Sequence, residues 1–182
     1  MEWLTSVGLG LDYDALRLGR TTHEWIEAGE RLRNHIARLL NGTVSGVEQI
    51  GSSSVLNLLA KPIIDVAIGA KSEHDFSTTR ERLEAAGWIY RGDAGDNGGH
   101  VYVLETQPWH RVAHAHVVEF DGEQWRDYLR FRDLLRGSPT ARARYESVKQ
   151  QLAALFGNDR VAYTDGKTTI VNQLLNSPDP VT

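Results

Sequence analysis

The chain has 182 residues, with 20 lysines and arginines against 24 aspartates and glutamates, and a formal net charge of −4 at pH 7. This length suits one domain with a full hydrophobic core, and the acidic balance argues against nucleic acid as a partner. Cysteine is absent, which excludes disulfides, thiolate zinc sites and a cysteine nucleophile. Because no apolar run is long enough to cross a bilayer and the first residues show no leader pattern, we expect a single cytoplasmic domain over residues 1–182 with no membrane partner.

The first predicted element follows an irregular segment, residues 1–20, in which glycines and polar residues favour turns and extended chain. Apolar residues at three- and four-residue steps then predict a helix from Thr22 to Leu40. Thr21 or Thr22 serves as its N-cap, and Asn41-Gly42 ends it. The next predicted elements along the chain are strand 44–50, strand 62–68 and helix 71–86.

Three short strands and three helices are predicted for the second half of the chain. The strands cover 88–90, 100–105 and 112–120, with a loop at 91–99 and a turn at 106–110. We expect the last two strands to form a hairpin. The helices cover 124–136, 139–156 and 159–175, and a frayed tail follows at 176–182. This order predicts an α+β fold: a mixed β-sheet with flanking helices and a C-terminal helical cap.

A glycine and three serines follow the first of the two apolar strands. Gly51, Ser52 and Ser53 supply backbone N–H groups and hydroxyls of the kind that cradle a phosphate. Asp65 lies among large aliphatic residues in the next strand, where a carboxylate is costly unless something pairs with it. A Gly-Ser turn after one strand and an acid on the next is the arrangement of nucleotidyltransferase folds, in which the turn holds the triphosphate and the acid holds the metal. The alternative is a structural carboxylate paired with Lys61 or an arginine; we favour the metal ligand.

A nucleotidyltransferase usually carries a second acid two residues along this strand, since side chains at i and i+2 share a face. That position is Ala67, so the paired carboxylates of two-metal catalysis are incomplete. His114 and His116 share one face of a later strand, and on a neighbouring strand they would face Asp65 and replace the missing acid. Such a ligand set moves the metal preference from Mg²⁺ toward Mn²⁺ or Zn²⁺, and either imidazole suits general-base catalysis. A pair of structural histidines is the alternative, and His100 is a further candidate ligand.

Several cationic side chains are candidates for contacting phosphate. Lys61 precedes the second apolar strand, and the guanidinium of Arg132 has the geometry to bind a phosphate in a bidentate way. Arg160, Tyr163 and Lys167 lie at helical neighbour spacing on the last predicted helix. For each of them the alternative is a solvated side chain on a loop or on the polar face of a helix.

The sequence resembles the GrpB family, whose members have a nucleotidyltransferase-like fold. The resemblance rests on segments that occur in the family's order, at 50–55, 60–66, 99–100, 114–118, 125–136 and 159–167. This chain has Leu56-Asn57 where the family usually has Pro-Gly, and it lacks the family's usual Pro-Tyr-Asp-Pro-x-Trp opening. We expect these positions at the mouth of the pocket, where they would suit a specialised substrate.

These observations support three hypotheses. The first is a metal- and nucleotide-dependent transferase or ligase acting on a small-molecule acceptor, with an NTP such as ATP on the Gly-Ser turn and Mg²⁺, Mn²⁺ or Zn²⁺ on Asp65 and the histidines. In that hypothesis Lys61, Arg132 and Lys167 neutralise phosphate charge, and an adenylated carboxylate leading to an amide is one version of the reaction. The second is a non-catalytic module that binds a nucleotide or a CoA-like ligand. The third is a metal-dependent hydrolase that uses the histidine pair.

Overall fold

The structure, a computed structural model, describes residues 1–93, 99–157 and 159–177. The strands within these ranges are β1 (Leu11–Asp12), β2 (Gly19–Arg20), β3 (Gly46–Ile50), β4 (Leu59–Ala60), β5 (Ile64–Ala70), β6 (Trp88–Asp93), β7 (His100–Gln107) and β8 (His110–Glu119). The helices are α1 (Glu2–Thr5), α2 (His23–Leu39), α3 (Glu73–Ala85), α4 (Glu123–Gly137), α5 (Pro139–Phe156), α6 (Arg160–Gly166) and α7 (Thr168–Asn176), with a single 3-10 turn at Ser52–Ser54. None of these helices is both long and apolar enough to span a bilayer.

The main sheet of the described chain has strand order β3-β5-β8-β7-β6, and β1 adds to it along β8. Strands β5 and β8 are parallel, whereas the other strand pairs of this sheet are antiparallel, so the sheet is mixed. The predicted β7–β8 hairpin is confirmed, and β2 pairs with β4 in a small separate ribbon. This arrangement confirms the predicted α+β fold with a mixed sheet, and it places β5 and β8 side by side at the centre.

Helices α2 and α3 cover one face of the sheet. Their apolar faces pack on the side chains of β5 that point toward them, so this face forms the largest core. Fully buried members of this core are Leu32 and Ile36 of α2, Leu83 of α3, and Val66 and Ile68 of β5. Burying such aliphatic side chains stabilises the fold by about 1.5–3 kcal/mol each.

The C-terminal helices cover the opposite face, as the predicted helical cap requires. Trp125 of α4 packs on Ile50, Ala67 and Val118 of the sheet. A second cluster joins α4, α5 and α7 to the segment after the 3-10 turn; its members are Val55, Leu58, Leu135, Ala141, Tyr145, Ile170 and Leu174. The space left between this cap and the sheet contains the candidate site.

Local capping explains why most predicted helix boundaries agree with the structure. The Thr22 side chain accepts a hydrogen bond from the Trp25 amide at the start of α2. Ser72 forms a capping box at the start of α3, and Ser138 caps α5, whose first residue is Pro139. These signals act over three or four residues, so the sequence carries them in full.

The last helix was predicted wrongly as one element over 159–175. In the structure α6 ends at Gly166 and α7 begins at Thr168. A Cβ at Gly166 would lie 2.6 Å from Leu152 Cδ2 of α5, so glycine permits this close approach and also weakens helix continuity. The break leaves Lys167 between two helices.

The segment 1–20 was predicted as turns and extended chain, and the structure adds short elements to this description. It contains α1, β1 and β2, and Leu4, Leu9 and Leu11 are buried in it. Elements this short carry no periodicity. Contacts with the rest of the chain order them: β1 pairs with β8, β2 pairs with β4, and Leu4 packs in the main core. The predicted loop at 91–99 is in part wrong, because β6 extends to Asp93; the remainder of that loop at 94–98, and the predicted frayed tail beyond 177, lie outside the described residues.

Candidate functional site

The turn after β3 lines a cavity of about 430 Å³ between the sheet and the C-terminal helices. Gly51 has φ 71° and ψ −177°, a backbone conformation that is essentially restricted to glycine. The Ser54 hydroxyl donates to the Gly51 carbonyl at 2.7 Å. The Ser53 hydroxyl is buried at the cavity wall and has no hydrogen-bond partner among the described residues. Because an unpaired buried hydroxyl is costly, this position fits a ligand that bonds to it.

A carboxylate and two imidazoles meet in the same cavity. The parallel register of β5 and β8 places Asp65 opposite His114 and Ala67 opposite His116. Oδ1 of Asp65 lies 3.1 Å from Nδ1 of His114 and 3.6 Å from Nε2 of His116. The three potential ligand atoms lie within 4.8 Å of one another. The structure therefore brings together the three residues that the sequence indicates as metal ligands.

The electrostatics of this cluster favour an ionised Asp65. Burial raises the pKa of Asp65, but hydrogen bonds to His114 and His116 outweigh burial and hold that pKa well below its usual range. Burial lowers the pKa of His114, although the neighbouring carboxylate raises it in part. A carboxylate beside an unprotonated imidazole is the protonation state in which both groups bind a cation.

The distances from Asp65 to the two imidazoles resemble those between ligands of one divalent cation. Atoms bound to an ion at about 2.1 Å lie roughly 3.0 to 3.4 Å from one another, close to the two separations that Asp65 makes. The ion pairs of Asp65 within the described chain are with the two imidazoles and not with an arginine. A set of imidazole and carboxylate ligands suits Mn²⁺ and Zn²⁺ as well as Mg²⁺.

Tyr128 of α4 supports His116 from the other side. Its hydroxyl lies 3.5 Å from Nδ1 of His116 and accepts a hydrogen bond from Nε2 of Gln124 at 3.0 Å. Burial raises the pKa of Tyr128 to about 12, so the hydroxyl stays protonated at neutral pH. A partner on one ring nitrogen orients the imidazole so that the other nitrogen faces the cluster. This role of Tyr128 was not predicted from the sequence.

Three lysines line the cavity. The Nζ atoms of Lys61 and Lys167 lie 4.3 Å and 5.0 Å from the ring centroid of Tyr163, which is itself buried. Lys149 of α5 is the third, and burial lowers the pKa of both Lys149 and Lys167. Lys149 was not predicted from the sequence; the available signal was its position one turn after Tyr145, on the apolar face of a predicted helix.

Arg132, predicted to contact phosphate, lies elsewhere. Its guanidinium is bound at 2.9 Å by the Glu48 carboxylate and at 2.8 Å by that of Asp133, and it donates to the Gln49 carbonyl. These contacts attach α4 to β3 outside the cavity wall. We therefore assign Arg132 a structural role and correct the prediction. The predicted contact of Arg160 lies outside the described side chains.

The prediction that His100 joins the cluster was wrong. Across the β7–β8 ladder His100 pairs with Val117, whereas Val101 pairs with His116. Because alternate residues of a strand point to opposite faces, His100 faces away from the cavity. Its Nδ1 lies 3.1 Å from the Tyr90 hydroxyl on that other face.

Leu56-Asn57 was expected at the mouth of the pocket, and this expectation was also wrong. The Asn57 amide donates to the Thr21 carbonyl, and Arg20 donates to the Asn57 carbonyl. This pairing holds the segment against the chain around β2, and neither residue belongs to the wall that the described residues form around the cavity. Asn57 has φ 62°, a conformation that favours the glycine found there in the family.

Comparison with known proteins identifies the family. The sequence model of the family described as GrpB protein matches residues 15–177. The chain belongs to the GrpB family. The glutamate-rich protein GrpB of Alkalihalophilus pseudofirmus is 29% identical to it, over 92% of this chain and 98% of the relative. A UPF0157 protein of Streptomyces coelicolor is 34% identical, over 87% of this chain and 82% of the relative.

Solved structures show the same family and a wider fold. The crystal structure of GrpB from Enterococcus faecalis matches with a TM-score of 0.74 at 28% identity, over 87% of this chain and 97% of that chain. A cytoplasmic RNA terminal U-transferase matches with a TM-score of 0.52 at 12% identity, over 84% of this chain and 45% of that chain. The Cid1 poly(U) polymerase gives a TM-score of 0.51 at 13% identity, over 84% and 47%. These last two likenesses show the fold alone, and they confirm it as nucleotidyltransferase-like.

Proposed function

We propose that this GrpB-family protein is a metal- and nucleotide-dependent transferase or ligase that acts on a small-molecule acceptor. The observation that carries the proposal is the convergence of three parts on one cavity. They are the turn with its unpartnered Ser53 hydroxyl, the cluster around Asp65, and a wall that includes three lysines. The nucleotidyltransferase-like fold supports the proposal, because in that fold a Gly-Ser turn and a strand acid lie side by side.

The turn and the lysines would hold the triphosphate. Gly51, Ser52 and Ser53 offer a polar surface at one wall, and Lys61 and Lys167 face it from the segment after β4 and from the α6–α7 junction. Cations and backbone amides stabilise the charge on a transferring phosphoryl group without covalent participation. ATP is the first nucleotide to test.

Asp65, His114 and His116 would hold the divalent cation. Such an ion would neutralise phosphate charge and polarise a phosphoryl oxygen. The protein's own contribution is positional: Tyr128 orients His116, and glycine at position 51 lets the turn lie close to Asp65. These contacts fix the relative position of the anion-binding and cation-binding groups before any substrate enters.

The acceptor would be small. A cavity of about 430 Å³ is in the range of small-molecule sites, and the chain's net charge of −4 does not favour a polyanionic nucleic acid. In the transfer, an acceptor oxygen forms a bond to a phosphorus atom and the phosphoanhydride bond on the other side of that phosphorus breaks. Attack at the α-phosphorus releases pyrophosphate, and attack at the γ-phosphorus releases the nucleoside diphosphate. The leaving group takes the bond electrons, and the acceptor's proton passes to a base.

One observation favours a second candidate, a non-catalytic module that binds a nucleotide or a CoA-like ligand. Ala67 occupies the usual place of the second acid, is fully buried and packs in the cluster around Trp125. The strand therefore offers one carboxylate where two-metal catalysis uses two. Binding without turnover requires only the turn and the lysines.

A thermal-shift panel of NTPs with Mg²⁺, Mn²⁺ and Zn²⁺ separates these functions. A ligand at 100 times its Kd stabilises the folded protein by about 2.7 kcal/mol, which raises the Tm of a chain of this size by roughly 5–10 °C. We expect a shift by ATP that depends on the metal, and we expect Asp65→Asn to lose that dependence while the protein remains folded.

The matched control is Asp93→Asn, because Asp93 is exposed and lies on β6 away from the cavity. It should respond to ATP and metal as the unaltered protein does. A metal-dependent shift that survives in Asp65→Asn would remove the metal role of Asp65. An ATP shift that needs no metal would instead support the binding module, and a shift by metal alone would support a hydrolase.

A further inference from the structure

The distribution of lysine in this chain is uneven. Lysine occurs at four positions, 61, 71, 149 and 167, whereas arginine supplies the other cationic side chains. Three of the four, Lys61, Lys149 and Lys167, line the central cavity. Arginine stays protonated in proteins, whereas a buried lysine can lose its proton near neutral pH. The cavity therefore concentrates the cations whose charge can change.

Lys149 is the most enclosed of the three. Its side chain extends from α5 between the turn and β4, and the residue is only 2% exposed. Nζ donates to the Ser52 hydroxyl at 3.3 Å and to the Leu59 carbonyl, and it lies 4.4 Å from the centroid of the Tyr145 ring. These partners are neutral, and within the described side chains no carboxylate oxygen lies within 4.0 Å of it.

We propose that Lys149 is an anion-binding residue of the cavity and that it takes up a proton when a phosphate group binds at the Gly51–Ser53 turn. The geometry supports this, because a phosphate bonded to the Ser52 hydroxyl would lie next to the Lys149 ammonium group. The inference rests on the proposed function only for the place of the anion; it needs neither the metal nor turnover.

The electrostatic surroundings of Lys149 agree with such a switch. Burial, and secondarily the positive charge of Lys167, lower the pKa of Lys149 to about 7. The other charged and titratable groups around it are Tyr145 and Glu146 on its own helix and Arg20 on β2. The Glu146 carboxylate is bound by the Arg20 guanidinium and by the Leu59 amide, so it compensates Lys149 only from a distance.

The direction of the pH effect follows from linkage. An anion beside Lys149 favours its charged form, so the pKa of Lys149 is higher in the complex than in the free protein. With a pKa two or more units higher in the complex, binding takes up about half a proton per site at pH 7 and about 0.8 of a proton or more at pH 8. Affinity is greatest below pH 7, and it falls as pH rises from the pKa of the free protein toward that of the complex. Between pH 7 and pH 8.5 the deprotonation of Lys149 lowers the affinity for the anion on the order of tenfold.

Lysine-selective ¹³C labelling tests the proposal directly, because four lysines give four Cε signals. The probe is inorganic triphosphate in a metal-free buffer with EDTA. We expect one signal, absent from Lys149→Arg, to titrate near pH 7 in the free protein and at least one pH unit higher at saturating triphosphate. Calorimetry in two buffers of different ionisation enthalpy should give the matching proton uptake. A Lys149 midpoint that triphosphate does not move would overturn the proposal.

Variants separate Lys149 from other titrating groups, including the triphosphate itself. Lys149→Arg should bind triphosphate without the fall in affinity at high pH that Lys149 causes. Lys149→Met should bind triphosphate about tenfold or more weakly at pH 6.5. Lys71→Arg, which lies outside the cavity, should behave as the unaltered protein. Should Lys149→Arg not fold, Lys149→Met assigns the signal. Unchanged pH dependence in both Lys149 variants, or absence of triphosphate binding, contradicts the inference. A metal-dependent ATP shift that survives in Asp65→Asn, or that is absent from the unaltered protein, would contradict the proposed function and leave this result unaffected, so the two proposals fail separately.

Discussion

Gly51 joins the turn to the cluster of Asp65 and the two histidines. Its φ of 71° belongs to a region that other residues rarely adopt, and a Cβ at this position would lie 2.6 Å from Oδ2 of Asp65. Two independent physical reasons therefore require glycine here. Any side chain would both strain the turn and displace the carboxylate that the proposed metal site uses.

Gly51→Ala should destabilise the protein by about 1–3 kcal/mol and abolish the metal-dependent ATP shift, because Asp65 must move. Equilibrium denaturation in urea measures the first effect, and thermal shift measures the second. Gly42→Ala is the matched control: its φ is 76°, but a Cβ there meets nothing within 4 Å. That variant should lose only about 1–2 kcal/mol and keep the ATP response. Equal behaviour of the two variants would show that the contact with Asp65 has no functional weight.

At the residue scale, the sequence predicted which side chains of one strand share a face. It did not predict contacts between residues that are far apart in the chain. His114 and His116 share a face because they are two residues apart, and the sequence contains that spacing. Whether His100 shares that face depends on the β7–β8 register, and the engagement of Arg132 by Glu48 depends on the docking of α4. Neither relation is visible in the spacing of residues along the chain.

At the element scale, the contact between α2 and β3 contains an uncompensated polar group. Gln49 is buried under α2, and neither its Oε1 nor its Nε2 has a hydrogen-bond partner among the described residues. A Cβ at Gly29 of α2 would lie 1.9 Å from Nε2 of Gln49, so a glycine in the helix makes room for the amide. Burying an amide without partners costs about 1–3 kcal/mol.

Gln49→Met should raise the free energy of unfolding by about 1–2 kcal/mol, because methionine fills a similar volume and removes the unpaired amide. Urea denaturation measures the change. The control is Gln107→Met on β7, where the side chain is exposed and the effect should stay within about 0.5 kcal/mol. A destabilised Gln49→Met would indicate that the amide is hydrogen-bonded by an internal water.

Element boundaries followed the same division between local and remote causes. Helix α5 was predicted over 139–156, as found, because Ser138, Pro139 and Gly157 mark its ends within the chain itself. The α6–α7 break depends on the approach of Gly166 to α5, and β1 depends on pairing with β8. Contacts between segments this far apart cannot be read from the sequence, so the α6–α7 break and β1 were not predicted.

On the scale of the whole molecule, folding gathers positive charge inside an acidic chain. The net charge of the chain is −4, yet one cavity is lined by three lysines, Lys61, Lys149 and Lys167. The Asp65 carboxylate lines the same cavity. Holding such cations away from water lowers the stability of the unliganded protein. In the proposed function an anion would offset that cost, and in the unliganded protein the cost should be visible in the pH dependence of folding.

Stability of the unliganded protein should rise between pH 7 and pH 9. The pKa of Lys149 is about 7 in the folded protein and ordinarily 10.5, so in this range the unfolded chain binds more protons and rising pH favours folding. The slope from one such group is at most about 1.4 kcal/mol per pH unit. Above about pH 10 the trend should reverse, because burial raises the pKa of Tyr128 and of Tyr145 to about 12.

Urea denaturation at several pH values measures this rise. Lys149→Met should reduce it, leaving the part due to Lys167, whose pKa burial also lowers. Lys71→Met, an exposed substitution, should leave the slope unchanged. A slope that is the same in Lys149→Met and in the unaltered protein would contradict the lowered pKa of Lys149.

The sequence by itself determined the helix caps, the two-residue spacing of the histidines, the Gly-Ser turn and the lone acid of β5. These features act within a few residues, and for that reason they survive without knowledge of the fold. Only the tertiary structure decided that β5 and β8 are neighbours, that His100 faces away from the cavity and that Lys149 lines it. Those relations join segments far apart in the chain, and strand register and helix packing set them.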